Sequence, residues 1–145
     1  MKRFLIIGTI VLPIVILVAC GNRIPVQTAG PQQVQVNGGS YWDITPAQLN
    51  LMLEHKDFLL VNVHIPYERE ISQTDLFVAY NEIDQNLSKL PKDKGEKIVL
   101  YCRSGSMSAI AAKTLVKLGF TNVWNLAGGM VEWEKQGYEL IRKPQ

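Results

Sequence analysis

Ile98-Val99-Leu100-Tyr101-Cys102-Arg103-Ser104-Gly105-Ser106-Met107-Ser108 is the stretch on which the reading of this 145-residue chain turns. Four apolar residues in a row describe a strand buried on both faces. The polar residues that follow lead into a helical apolar pattern from about Met107 to Leu118, with Gly119 as its stop. Cys102 therefore falls at the end of a buried strand, on a loop that feeds a helix N-terminus. Successive N–H groups of such a loop can curl into an anion-binding nest, and the helix dipole adds positive potential. Gly105 permits the turn, and Ser104, Ser106 and Ser108 bring hydroxyl donors. Surroundings of this kind favour the thiolate, which is the nucleophilic form of cysteine.

Outward from this loop, strands and helices alternate. Tyr41 to Ile44 reads as a short strand, and Thr45-Pro46-Ala47-Gln48 as a capping box with proline in the first helical turn. Leu49, Met52 and Leu53 give that helix an apolar face ending near His55. Phe58 to Val63 reads as a second buried strand, and His64 to Tyr80 as irregular. Asn81 is expected to cap a short helix that Pro91 stops. Ile110, Ala111, Leu115 and Leu118 are the expected inward face of the helix after Cys102. A last strand spans Thr121 to Asn125, and Gly128-Gly129 opens a short helix carrying Met130, Trp133 and Glu134. This alternation implies an α/β domain with a mainly parallel central sheet and helices on both faces. Ligands in such sheets bind at the carboxyl ends of strands, where Cys102 lies.

The N-terminus has a different composition. Met1-Lys2-Arg3 precedes an apolar run from Phe4 to Ala19, short for a membrane span and interrupted by Pro13. This reads as a signal peptide. Leu17-Val18-Ala19-Cys20-Gly21 resembles a bacterial lipobox, which implies cleavage before Cys20 and its acylation, palmitate included. Several acyl chains anchor a protein stably. The expected organisation is a lipoprotein signal peptide over 1–19, lipidated Cys20 with a flexible linker over 20–40, and one domain over 41–145. The expected location is the bacterial cell envelope, tethered to a membrane and facing the periplasm or the exterior. The chain has 15 basic and 13 acidic residues, and the surplus is Lys2 and Arg3. The mature chain is thus formally neutral, with no basic patch that argues for nucleic acid.

The segment from Lys97 to Tyr138 resembles the rhodanese domain through two motifs: the Cys102 loop, and Val123-Trp124-Asn125-Leu126-Ala127-Gly128-Gly129-Met130 with Trp133. The resemblance extends from Trp42 to about Leu140. It implies a thiosulfate:cyanide type of sulfurtransferase. Cys102 is the expected catalytic residue, with Arg103, Ser104, Gly105, Ser106, Met107 and Ser108 as the substrate-binding loop. The partners implied are a small sulfur-containing donor and a thiol or protein acceptor, with no metal and no organic cofactor. The other reading is a non-enzymatic module of the same fold, used for protein binding or thiol-redox sensing.

The chain also departs from that family. Many single-domain rhodaneses carry a basic residue five positions after the cysteine, and here Met107 stands there. This weakens thiosulfate as donor more than it weakens persulfide chemistry. Cysteine phosphatases place a clamping arginine six positions after their cysteine, where this chain has Ser108, so phosphate chemistry lacks its bidentate partner. His64 occupies a place where the family usually has arginine, and a local hydrogen bond at the strand end is its expected role. Tyr67 and Glu68 are assigned no more than the pocket rim, and His55 a solvated helix end. Gly128-Gly129 is read as a tight turn beside the active loop, and Trp42, Trp124 and Trp133 as packing. With Cys20 acylated, Cys102 has no intrachain disulfide partner, so a reducing or persulfide-donating partner is expected.

Overall fold

The computed structural model describes residues 30–143. The expected signal peptide, Cys20 and the first part of the expected linker lie outside these residues. Eight strands and three α-helices follow in the order β1 Gln32–Val36, β2 Gly39–Ile44, α1 Pro46–Glu54, β3 Leu59–Asn62, β4 Glu70–Ile71, β5 Leu76–Phe77, a 3-10 segment Tyr80–Lys89, β6 Ile98–Tyr101, α2 Ser106–Lys117, β7 Val123–Leu126, α3 Gly129–Lys135 and β8 Leu140–Ile141. The main sheet has the order β1-β2-β7-β6-β3-β5. All its pairings are parallel except β1 with β2. The fold is α/β with a mostly parallel sheet, as the alternation requires.

The central strands are buried on both faces, and their alternation sorts the core into two halves. Val61, Val63, Ile98 and Leu100 face α2 and the 3-10 segment, where they meet Ile83, Leu90, Ala111, Ala112, Leu115 and Val116. Leu60, Val99 and Tyr101 face α1 and α3, where they meet Leu49, Leu53, Met130 and Trp133. Burying each aliphatic side chain contributes about 1.5–3 kcal/mol, so these few strand residues carry much of the fold. The register aligns Asn62 with Tyr101, and Leu100 with Asn125. The carboxyl ends of β3, β6 and β7 thus open on one side of the sheet, and the Cys102 loop leaves from the middle strand.

The capping box at Thr45 is present as expected: Gln48 N–H donates to Thr45 Oγ1 at 3.3 Å, and Thr45 N–H donates to Gln48 Oε1 at 2.9 Å. Three local expectations are corrected. Residues 32–40 are not loose linker, because β1 hairpins onto β2 and Val34 and Val36 pack on the core. The 3-10 segment starts at Tyr80 after Ala79, with no side-chain cap from Asn81. Ile110 points outward at 48% exposure, and Ala112 and Val116 take the inward positions beside Ala111 and Leu115. The apolar count of α2 was legible, but the phase of its inward face was set by what the sheet presents.

The stretch 64–80, expected to be irregular, contains β4 and β5. β4 pairs with β8 in a small antiparallel sheet, which Tyr101 ties to the main one. The Tyr101 hydroxyl accepts from Ile71 N–H at 3.0 Å and lies 2.6 Å from Thr74 Oγ1. Burial raises the pKa of this phenol above its ordinary value of 10.0. The unfolded chain releases the proton near pH 10, while the folded chain keeps it. Tyr101's contribution is therefore intact below about pH 10 and declines as pH rises beyond it. Tyr101→Phe leaves the buried Ile71 N–H unpaired, and urea titrations should show a loss of about 1–3 kcal/mol at pH 7. The variant's stability should also fall less steeply above about pH 10.

Candidate active site

Cys102 follows β6 directly and is 1% exposed. The residue nevertheless forms part of the wall of a cavity of about 470 Å³, shared with His64, Arg103, Ser104, Ser106, Met107 and Val131. Gly105 N–H donates to Cys102 Sγ at 3.1 Å, and the Ser108 hydroxyl lies 3.5 Å from the same sulfur. Gly105 takes φ +90°, which turns the loop back on itself before α2 begins at Ser106. Among the described residues Cys102 is the free thiol. Donors aimed at sulfur stabilise negative charge there, both on a thiolate and on a sulfur attached to it.

The three loop serines divide. Ser108 is buried and points back at the sulfur, with its hydroxyl donating to Gly105 O at 3.1 Å. Ser104 and Ser106 are exposed and bond to each other at 3.4 Å, though both line the cavity. Arg103 is exposed, and its Nε stands 3.7 Å from Glu68 Oε2. Met107 and Val131 give the cavity an apolar wall.

The second glycine motif holds the loop from behind. Met130 N–H donates to Cys102 O and Val131 N–H to Arg103 O, both at 2.9 Å. The first turn of α3 therefore uses its unpaired N–H groups to fix the backbone on which the cysteine sits. Gly129, at φ +56°, is what lets α3 come this close. A Cβ there would lie 2.3 Å from Cys102 O and 2.7 Å from Arg103 O. The expected reading of Gly128-Gly129 as a turn beside the active loop agrees with this geometry.

His64 departs from its expected local role. Its backbone N–H donates to Asn62 Oδ1 at 3.0 Å, but the ring makes no such bond. The ring is buried within the cavity wall, with neither nitrogen hydrogen-bonded. Nε2 stands 3.4 Å from Glu68 Oε1, close enough for an ion pair but misdirected for a hydrogen bond. Glu68 thus lies between His64 and Arg103, a grouping that no spacing in the sequence announces. Tyr67 instead lines a separate cavity of about 440 Å³ with Glu70, Thr74, Phe77 and Lys143. His55 is the exposed C-cap of α1. Trp133 is buried in the core, while Trp42 and Trp124 stack across paired strands at 5.8 Å. The described residues hold no cluster of side chains suited to a metal ion.

A mostly parallel sheet whose middle strand delivers a donor-facing cysteine to its carboxyl edge defines a thiol-centred α/β domain. The Rhodanese-like domain family matches residues 45–136, and the chain belongs to that family. A protein named sulfurtransferase from Allochromatium vinosum is 32% identical over 92 residues, covering 62% of this chain and 84% of that one. The tRNA uridine(34) hydroxylase of Escherichia fergusonii is 28% identical over 109 residues, or 71% of this chain. This chain spans only 31% of that hydroxylase. Among solved structures, a rhodanese-like domain protein from Staphylococcus aureus superposes with a TM-score of 0.58 at 28% identity, covering 70% of this chain and 98% of that one. A rhodanese-related protein from Thermoplasma volcanium shares the fold with a TM-score of 0.60 at 24% identity, again over 70% and 98%.

Proposed function

We propose that this protein is a sulfurtransferase that carries sulfane sulfur as a persulfide on Cys102. The observation that carries the reading is Cys102 itself: its sulfur accepts from the Gly105 N–H at 3.1 Å, and the residue lines a cavity of about 470 Å³. The sulfurtransferase from Allochromatium vinosum, similar across most of its length, supports the same chemistry.

In the first half-reaction the Cys102 thiolate attacks the outer sulfur of a thiosulfate-like donor. A new S–S bond forms as the donor's own S–S bond breaks, and sulfite leaves with that bond's electron pair. The terminal persulfide sulfur then holds the negative charge, and the loop N–H stabilises it, joined by the Ser108 hydroxyl when its proton turns from Gly105 O to sulfur. In the second half-reaction a thiophilic acceptor, cyanide or a thiol, attacks the terminal sulfur. Cys102 leaves as thiolate, ready for the next cycle. This is covalent catalysis in two displacements. The protein does this at a membrane surface, held by acylated Cys20 on the outer side of a bacterial membrane.

The test uses the full chain in detergent. Incubation with thiosulfate should add one sulfur to Cys102 by mass spectrometry, and cyanide should remove it as thiocyanate. The same intact-mass measurement reads acylation at Cys20. A folded protein that takes up no sulfur from any sulfane donor overturns the enzymatic reading.

A further inference from the structure

We propose that Glu68 is a specificity-determining residue that turns the Cys102 cavity away from dianionic sulfur donors and toward mono-anionic donors with an apolar group. The inference rests on the sulfurtransferase reading and names the donor class that the site selects. Its starting point is charge. Arg103 is the one charged side chain among those lining the cavity. Its guanidinium Nε lies 3.7 Å from Glu68 Oε2, and the other oxygen of that carboxylate lies 3.4 Å from His64 Nε2. Glu68 therefore offsets part of the Arg103 charge and stands beside the imidazole on the cavity wall. An anion entering this cavity meets a partly compensated guanidinium with a carboxylate beside it.

The remaining wall suits a different donor. Met107 and Val131 line the cavity, and Val131 is 51% exposed. Ile110, one helical turn beyond Met107, is 48% exposed on the same side of α2. Two apolar side chains on the cavity wall, Met107 and Val131, with exposed Ile110 one helical turn away, favour a donor that carries a hydrocarbon or aromatic group. An organic thiosulfonate or an organic persulfide has that form and a single negative charge. The chemistry balances in both cases. The Cys102 thiolate takes the outer sulfur, the donor's S–S bond breaks, and an organic sulfinate or thiolate leaves with the electron pair.

The test compares thiosulfate with benzenethiosulfonate on the full chain, reading kcat/KM for each and taking their ratio. The ratio cancels any effect on the persulfide chemistry that both donors share. In Glu68→Gln the guanidinium is no longer compensated, and the dianion gains one charge's worth more than the mono-anion. The preference for benzenethiosulfonate over thiosulfate should fall about three- to tenfold, chiefly through KM for thiosulfate. Glu68→Asp, which keeps the charge, should hold the wild-type ratio. A ratio unchanged in Glu68→Gln, with wild type loading from both donors, overturns this inference alone. A wild type that loads from neither donor overturns the sulfurtransferase reading and the inference with it.

Discussion

Gly129→Ala is expected to lower the melting temperature by roughly 10–30 °C and to disable the Cys102 site in whatever fraction stays folded. The reason lies in the 2.3 Å and 2.7 Å separations from a Cβ at this position to the carbonyl oxygens of Cys102 and Arg103. Those oxygens are backbone, so no side chain can swing away to make room. The φ of +56° adds the cost of a left-handed conformation for a residue with a Cβ. Together these come to about 2–5 kcal/mol, a large share of a typical total stability of about 5–15 kcal/mol. Relief requires α3 to withdraw, which breaks the Met130 and Val131 hydrogen bonds that fix the loop. Calorimetry and sulfur loading should therefore fail together. A variant that melts with wild type would show that α3 is not braced against the loop at this point.

Cys102→Ser is expected to separate the two properties that Gly129→Ala joins. Serine is close in size, and its oxygen can accept from Gly105 N–H and meet Ser108 as the sulfur does. The fold should hold within about 1–2 kcal/mol. Persulfide formation should be lost, with turnover down at least ~10³-fold, because the hydroxyl is a far weaker nucleophile and forms no disulfide bond. Melting curves and intact-mass spectra on the same sample make the comparison. Retained sulfur loading in Cys102→Ser would place the reacting thiol elsewhere and remove the basis for the site.

The pairing of these variants reflects how the two sequence motifs divide the work. The Cys102 loop was legible as chemistry because an apolar strand, a cysteine, a glycine and serines follow one another within a dozen residues. The Gly128-Gly129 motif was legible only as a turn. Its bracing role depends on α3 arriving from another part of the chain to meet two carbonyl oxygens. Glu68 was the least legible. His64, Glu68 and Arg103 meet only because the ends of β3 and β6 are neighbours, and the irregular stretch after β3 folds back across them. Nothing in the local pattern of His64-Ile65-Pro66-Tyr67-Glu68 carries that information.

By itself, the sequence determined the α/β alternation, the capping box at Thr45, and the placement of Cys102 at a strand end. These depend on short-range periodicity and on residues whose conformational or chemical preferences are strong. Tertiary structure decided which loop serine reaches the sulfur, which face of α2 turns inward, and that residues 32–40 hairpin onto the sheet. It also decided that Glu68 stands between an imidazole and a guanidinium that share a cavity wall with Cys102. Each of these depends on distances between segments far apart in the chain. Such distances are set by the packing of a sheet between two layers of helices, not by any segment's own pattern.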